Sequence, residues 1–270
     1  MNKDTGKEKI GIIGGTGLEN IAGIKYSGEQ FVETPYGSPS DKFRVYENDS
    51  FIIYALNRHG ANHEYAPHNV NYQANIYGFY SLEVSEILSF SSVGGININY
   101  KNGDLVLTTD AIDNTNRGSI TFYNENGNVV HIDMSSPFCN SVREKLLKSA
   151  ENAGISLING GTYICTDGPR FETPAEIKMY RIWGADMVGM TLFPEITLAK
   201  ELGVCYGNIS LITNAASGVE ENRKLTSDEV VEEAKKNTAK ITKIIEEYIK
   251  NSKRQPCSCK EILKGAAVGK

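Results

Sequence analysis

Ile10-Gly11-Ile12-Ile13-Gly14-Gly15-Thr16-Gly17 is the stretch on which the fold turns. A short apolar run closed by glycines reads as a buried strand followed by a tight turn. Runs of the same kind recur at Phe51 to Leu56, Glu86 to Phe90, Asp104 to Thr108, Gly161 to Cys165, Met187 to Met190 and Val204 to Thr213. Helical patterns lie between several of them, over Asn71 to Leu82, Ser141 to Asn152, Thr173 to Trp183, Pro194 to Leu202 and Ser227 to Lys250. Strands alternating with helices of this length imply an α/β domain built on a central sheet. Asn114 to Val130, rich in Asn and Gly, reads as a loop or hairpin excursion, and Cys259 to Leu263 as one or two further helical turns.

The glycine turn itself offers unblocked N–H groups and the Thr16 hydroxyl, the parts of an anion cradle, and equally suits a purely structural turn. It is not a dinucleotide fingerprint, because Asn20 stands where the last glycine belongs, and it does not end in the Gly-Lys-Ser/Thr of a P-loop.

The 270 residues, 40% hydrophobic and 23% charged, suffice for one large domain or two small ones. A net charge of -5, with no basic run outside the C-terminal region, argues against a nucleic-acid partner. No apolar stretch approaches the roughly 18 residues of a membrane span, and Met1-Asn2-Lys3-Asp4-Thr5 lacks a signal-peptide core, so a cytoplasmic protein without a membrane partner is expected. The spacing of the five cysteines shows neither a Cys-x-x-Cys nor a histidine cluster, so no metal site is expected. Cys257-Ser258-Cys259 reads either as two thiols in a terminal tail or as a disulfide. The expectation taken forward is that Cys257 and Cys259 are bridged, with Cys139 and Cys205 a second candidate pair; bridges inside cells are the habit of hyperthermophiles.

Chemistry collects at the strand ends. Arg58 and His59 follow the Phe51 to Leu56 strand, Ser91-Ser92-Val93-Gly94-Gly95 follows the Glu86 to Phe90 strand, and Thr191 follows Met190. Open α/β sheets bind ligands at such ends, and an arginine fork matches an oxyanion. Thr16, Arg58, Ser92 and Thr191 together point to one shared oxyanion site. Glu172 accepts hydrogen bonds, and the Asn214 amide both donates and accepts. The two can grip a purine that carries a proton on N1 and oxygen at position 6.

The motifs Ile12 to Leu18, Arg58-His59-Gly60, Asn71-Tyr72-Gln73-Ala74-Asn75, Gly168 to Glu176, Gly189-Met190-Thr191-Leu192-Phe193-Pro194-Glu195, Leu198-Ala199-Lys200-Glu201 and Thr213-Asn214 resemble the purine nucleoside phosphorylase and methylthioadenosine phosphorylase family. The resemblance runs from about Ile10 to Tyr248. It implies a single α/β domain over residues 1–250 with a central mixed, twisted β-sheet flanked by α-helices, and a tail over 251–270 carrying the Cys-x-Cys. It further implies phosphorolysis of a purine nucleoside to free base and pentose 1-phosphate, with inorganic phosphate as co-substrate and no metal or organic cofactor.

Residue by residue, the resemblance assigns phosphate to Thr16, Arg58, His59, Ser91, Ser92 and Thr191, with the Ser92 backbone preferred over either serine hydroxyl. It assigns the ribose to Met190, nucleoside packing to Phe171, and the base to Glu172 and Asn214 with Ala215 and Ala216 beside it. In place of Asn214-Ala215-Ala216 the methylthioadenosine branch has Asp-Tyr-Asp, so inosine and guanosine are expected over adenosine. Ser227 stands where the family varies with the sugar's 5' group and leaves a 5'-hydroxyl and a 5'-methylthio group both open. His131 resembles a histidine that reaches a neighbouring subunit's 5' pocket, which implies a homotrimer or a hexamer of two trimers. Rival readings are phosphorolysis of 5'-methylthioinosine or 5'-methylthioadenosine, a nucleoside-binding protein without turnover, and a dinucleotide-dependent oxidoreductase.

Overall fold

The structure is a computed structural model that describes residues 6–14, 21–118, 120–124, 129–221, 224–250 and 256–268. Its strands are β1 (Glu8–Gly14), β2 (Lys25–Gln30), β3 (Phe43–Glu47), β4 (Phe51–Asn57), β5 (Glu86–Gly95), β6 (Leu105–Leu107), β7 (Asp110–Asp113), β8 (Val129–Val130), β9 (Leu157–Asn159), β10 (Thr162–Cys165), β11 (Met187–Gly189), β12 (Cys205–Ala215) and β13 (Ala267–Val268). The helices are α1 (Tyr72–Ser81), α2 (Asn140–Asn152), α3 (Pro174–Ile182), α4 (Leu192–Glu201) and α5 (Ser227–Lys250).

The expected buried strand β1 sits between β4 and β5, parallel to both, and β5 runs parallel to β12. Strands β3 and β11 join antiparallel, which makes the sheet mixed. Alternation of side chains explains the two apolar layers. Ile10, Ile12, Ile53 and Ala55 face one layer with Val142 and Leu146 of α2 and Ile244, Ile245 and Tyr248 of α5. Ile13, Ile52, Tyr54 and Leu56 face the other, with Tyr72, Ile76 and Phe79 of α1 and Ile196 of α4. Covered on both faces, β1, β4 and β12 need apolar residues at nearly every position, which is why they were legible as continuous runs.

Strand β5 does not end at Phe90. It continues to Gly95 because β12 extends alongside it to Ala215, so Ser91 and Ser92 lie within a strand and point to opposite faces. The edge strand β2 alternates too little and is too exposed to register as a strand in sequence. The Asn114 to Val130 excursion carries β8, which pairs antiparallel with β13 of the tail, and a 3₁₀ turn at Cys259–Glu261 precedes that strand.

The cysteines depart most from expectation. None is bridged, and Cys139 and Cys205 do not form one pair while Cys257 and Cys259 form another. The tail folds back over the start of α2 and the first residue of β12, so the four sulfurs meet in one cluster. Sequence spacing could not show this, since the chain brings together positions more than fifty residues apart.

Candidate active site

The parallel strands β1, β4, β5 and β12 open at the same edge of the sheet, and their ends line one cavity of about 670 Å³. Residues of helix α5, among them Ser227, Val230 and Ala234, also line it. Arg58, His59, Ser91, Ser92, Phe171, Glu172, Met190, Thr191, Asn214 and Ala216 all line it. Thr16, with the rest of the glycine turn, lies outside the described residues.

Arg58 is 3% exposed, and its guanidinium is gripped by Glu195, which is fully buried. Nε donates to Glu195 Oε1 at 2.5 Å and Nη2 to Oε2 at 3.0 Å, a bidentate pair. Nη2 also donates to Ser89 Oγ at 2.9 Å and Nη1 to the Phe90 carbonyl at 3.1 Å. Of five N–H donors, one on Nη1 is left to face a ligand. Burial works against the charge, but the Glu195 carboxylate outweighs it and holds Arg58 protonated. Tyr206 completes the set, donating to Glu195 Oε2 at 2.7 Å, and burial keeps its hydroxyl protonated far above the usual range. The guanidinium expected to hold phosphate is therefore aimed by Glu195, Ser89 and the Phe90 carbonyl, which together take four of its five donors.

His59 Nδ1 lies 2.9 Å from the Tyr65 carbonyl, so that nitrogen carries the proton and Nε2 is an acceptor. Burial, and then the Arg58 charge, push its pKa down to about 4. The ring stacks on His63 with centroids 4.5 Å apart. A neutral Nε2 suits a hydroxyl, on a monoprotonated phosphate or on a sugar, rather than a bare oxyanion. The His59 Cε1 proton should therefore show no titration between pH 5 and pH 8 in NMR spectra of the unliganded protein; a midpoint above pH 6 would contradict this.

The two serines divide their work. The Ser91 hydroxyl accepts from Asn208 Nδ2 at 3.1 Å and is 7% exposed, whereas Ser92 is exposed to the cavity. Alternation along β5 produces that split. Thr191 stands at the N-cap of α4, and its backbone N–H donates to the Tyr163 hydroxyl at 3.3 Å.

Glu172 is 9% exposed and one oxygen accepts from the Thr166 hydroxyl at 2.9 Å. Burial raises its pKa, with the Thr166 hydrogen bond opposing. The segment leading into α3 is fixed on both sides of this residue. Thr173 and Glu176 form a capping box, and Arg170 grips Glu176 through both guanidinium nitrogens at 2.9 and 2.7 Å. Gly168 holds φ at +65°, and a Cβ there would collide with Met190 Sδ.

A register shift in β12 between Ile212 and Asn214 lets Leu211, Thr213, Asn214 and Ala216 all line the cavity. Asn214 Nδ2 donates to the Ala215 carbonyl at 2.9 Å, while Oδ1 lies 3.0 Å from Thr213 Oγ1. One amide N–H and one Oδ1 lone pair remain for a ligand. Ala215, expected beside the base, is not among the residues that line the cavity; its carbonyl accepts from Asn214 Nδ2.

Ser227 does line the cavity, among Leu225, Val230, Val231 and Ala234. His131 is exposed and does not line the cavity of its own chain; its backbone N–H donates to the Ala266 carbonyl at 3.0 Å.

Two positioning residues carried no assignment in sequence. Glu195 sat in a quoted motif, and a carboxylate three residues into a helix otherwise facing the core was the available signal. Arg117 had none. From inside the Asn-rich excursion it donates to the carbonyls of Met190 and Phe193, both at 2.7 Å, and reaches those of Thr166 and Asp167 at 3.3 Å. It thereby ties together the backbone that carries Met190, Thr191 and Glu172.

Comparison with known proteins agrees with this geometry. The probable 6-oxopurine nucleoside phosphorylase of Dictyoglomus turgidum is 43% identical over 258 residues, covering 95% of this chain and 97% of the relative. The probable S-methyl-5'-thioinosine phosphorylase of Methanopyrus kandleri is 43% identical over 265 residues, covering 96% and 99%. A methylthioadenosine phosphorylase from an antarctic soil metagenomic library superposes with a TM-score of 0.90 at 32% identity, covering 97% of this chain and 93% of that one. Residues 9–250 match the phosphorylase superfamily. The shared sheet, the strand-end cavity and the near end-to-end alignments have one explanation: the chain is an enzyme of the phosphorylase superfamily.

Proposed function

We propose that the enzyme cleaves 6-oxopurine nucleosides, inosine and guanosine, with inorganic phosphate to free base and ribose 1-phosphate, using no metal or organic cofactor. The observation that carries this reading is that Glu172 and Asn214 line the same cavity as Arg58. A phosphate oxygen bonds to C1' as the bond to N9 breaks, and the electron pair of that bond passes to the purine. Arg58 and the Ser92 and Thr191 region hold phosphate on one face of the sugar, and the free Asn214 N–H stabilises charge growing on the base at N7 or O6. Glu172 accepts from N1–H, a contact that adenine cannot make.

A second reading keeps the base and changes the sugar. Leu225, Val230, Val231 and Ala234 make the wall beside Ser227 largely apolar, which favours a 5'-methylthio group and hence 5'-methylthioinosine. In either case the reading includes a homotrimer or a pair of trimers, with His131 reaching the cavity of a neighbouring subunit; that His131 is exposed and does not line the cavity of its own chain supports that role.

Rates on inosine, guanosine, adenosine and their 5'-methylthio counterparts, with and without phosphate, decide among these. Phosphate-dependent release of hypoxanthine is expected, with kcat/KM for either 6-oxo nucleoside at least about tenfold above that for its 6-amino counterpart. A preference for methylthioadenosine would overturn the base assignment, and equal rates without phosphate would overturn phosphorolysis.

A further inference from the structure

We infer that Cys139, Cys205, Cys257 and Cys259 form a tetrathiolate zinc site that clamps the C-terminal tail to the core. All four sulfurs lie within 4.8 Å of one another, with Cys205 and Cys257 nearest at 3.3 Å. Tetrahedral zinc with Zn–S bonds of about 2.3 Å sets its sulfurs roughly 3.8 Å apart, the spacing this cluster approaches. A disulfide would need about 2.05 Å.

The ligands come from three places that the fold holds independently. Cys139 is the N-cap of α2, where the helix dipole favours a thiolate, and Cys205 begins β12; both are buried. Cys257 and Cys259 approach from the tail. Gly203, at φ +66°, is shaped for that approach, since a Cβ would sit 3.1 Å from the Cys259 carbonyl oxygen and 3.1 Å from Lys260 Cα.

Two of the tail's apolar residues remain exposed to solvent. Leu263 is 40% exposed and Val268 54%, and β13 contributes a two-residue pairing. An all-sulfur tetrahedral set selects zinc among the common hard and borderline cations. Because β13 pairs with β8 and Ala266 accepts from His131, the clamp also fixes the strand that carries His131.

The test is metal analysis of the full chain purified under reducing conditions and passed through a desalting column. About one zinc per chain is expected, lost in the C257S/C259S variant, whose substitutions fall in the tail, where Cys257 is exposed and Cys259 half-buried. Cobalt added to the metal-free protein should give the thiolate charge-transfer and d–d bands of a tetrahedral site. Chelation should speed amide exchange at Val129 to His131. Zinc content below about 0.1 per chain after incubation with zinc, zinc retained by C257S/C259S, or a mass four hydrogens short in protein purified without oxidant would each overturn the proposal.

Discussion

Glu195→Ala should lower the thermal midpoint by about 10 °C and cripple the use of phosphate. The substitution leaves the Arg58 guanidinium buried without its counter-charge, and removing one partner of a buried pair costs about 3 to 5 kcal/mol. At about 2 to 4 °C per kcal/mol for a chain of this size, the shift is large enough to read in a melting curve. Tyr206 would lose its acceptor as well. Freed from its bidentate hold, Arg58 no longer presents the one remaining Nη1–H in a fixed direction, so kcat/KM for phosphate should fall about 100-fold or more. The double variant Arg58→Met with Glu195→Leu separates the two effects. Replacing a buried ion pair by apolar residues of similar volume is often neutral or stabilising, so this protein should melt near the parent while remaining inactive. A Glu195→Ala protein that melts within about 2 °C of the parent would show that Arg58 finds solvent or another partner.

That pair also shows where sequence reading runs out. Arg58 was legible because it directly follows a continuous apolar strand, and strand ends are where α/β sheets gather ligands. Glu195 is 137 residues away, and the one local signal, a carboxylate in a helix otherwise facing the core, does not say which residue it meets. The same limit hid Arg117 and the four-cysteine cluster, whose members meet only through the sheet topology and the returning tail. Local patterns served best for the central strands and for the capped helix α3, whose Thr-Pro-Ala-Glu carries its own start signal. They served worst for exposed β2 and for the end of β5. Small residues there look like a loop until β12 is seen to pair with them. For Ala215 the sequence placed a residue in the right motif, but it is not among those that line the cavity.

Glu172→Gln tests the base assignment most sharply, because it alters charge and donor pattern while keeping shape. The carboxylate can only accept, whereas the amide offers an N–H that adenine N1 can use and hypoxanthine N1–H cannot. A hydrogen bond to a charged group is worth roughly 1.5 to 3 kcal/mol and a neutral one about 0.5 to 1.5, so kcat/KM for inosine should fall about tenfold. The adenosine rate should fall less or rise, narrowing the preference for inosine. The pH profile supplies an independent reading. Burial raises the Glu172 pKa, so the accepting carboxylate is the minority form at low pH and gains population as pH rises through that raised value. In the parent enzyme, kcat/KM for inosine should therefore climb along an acid limb set by Glu172, and Glu172→Gln should flatten that limb. His59 cannot supply the same limb near neutrality, since its pKa is pushed down to about 4 and its Nδ1 proton is committed to Tyr65. An unchanged inosine-to-adenosine ratio together with an intact acid limb would mean that Glu172 serves Thr166 and the loop rather than the base. The selectivity would then have to reside in Asn214 alone.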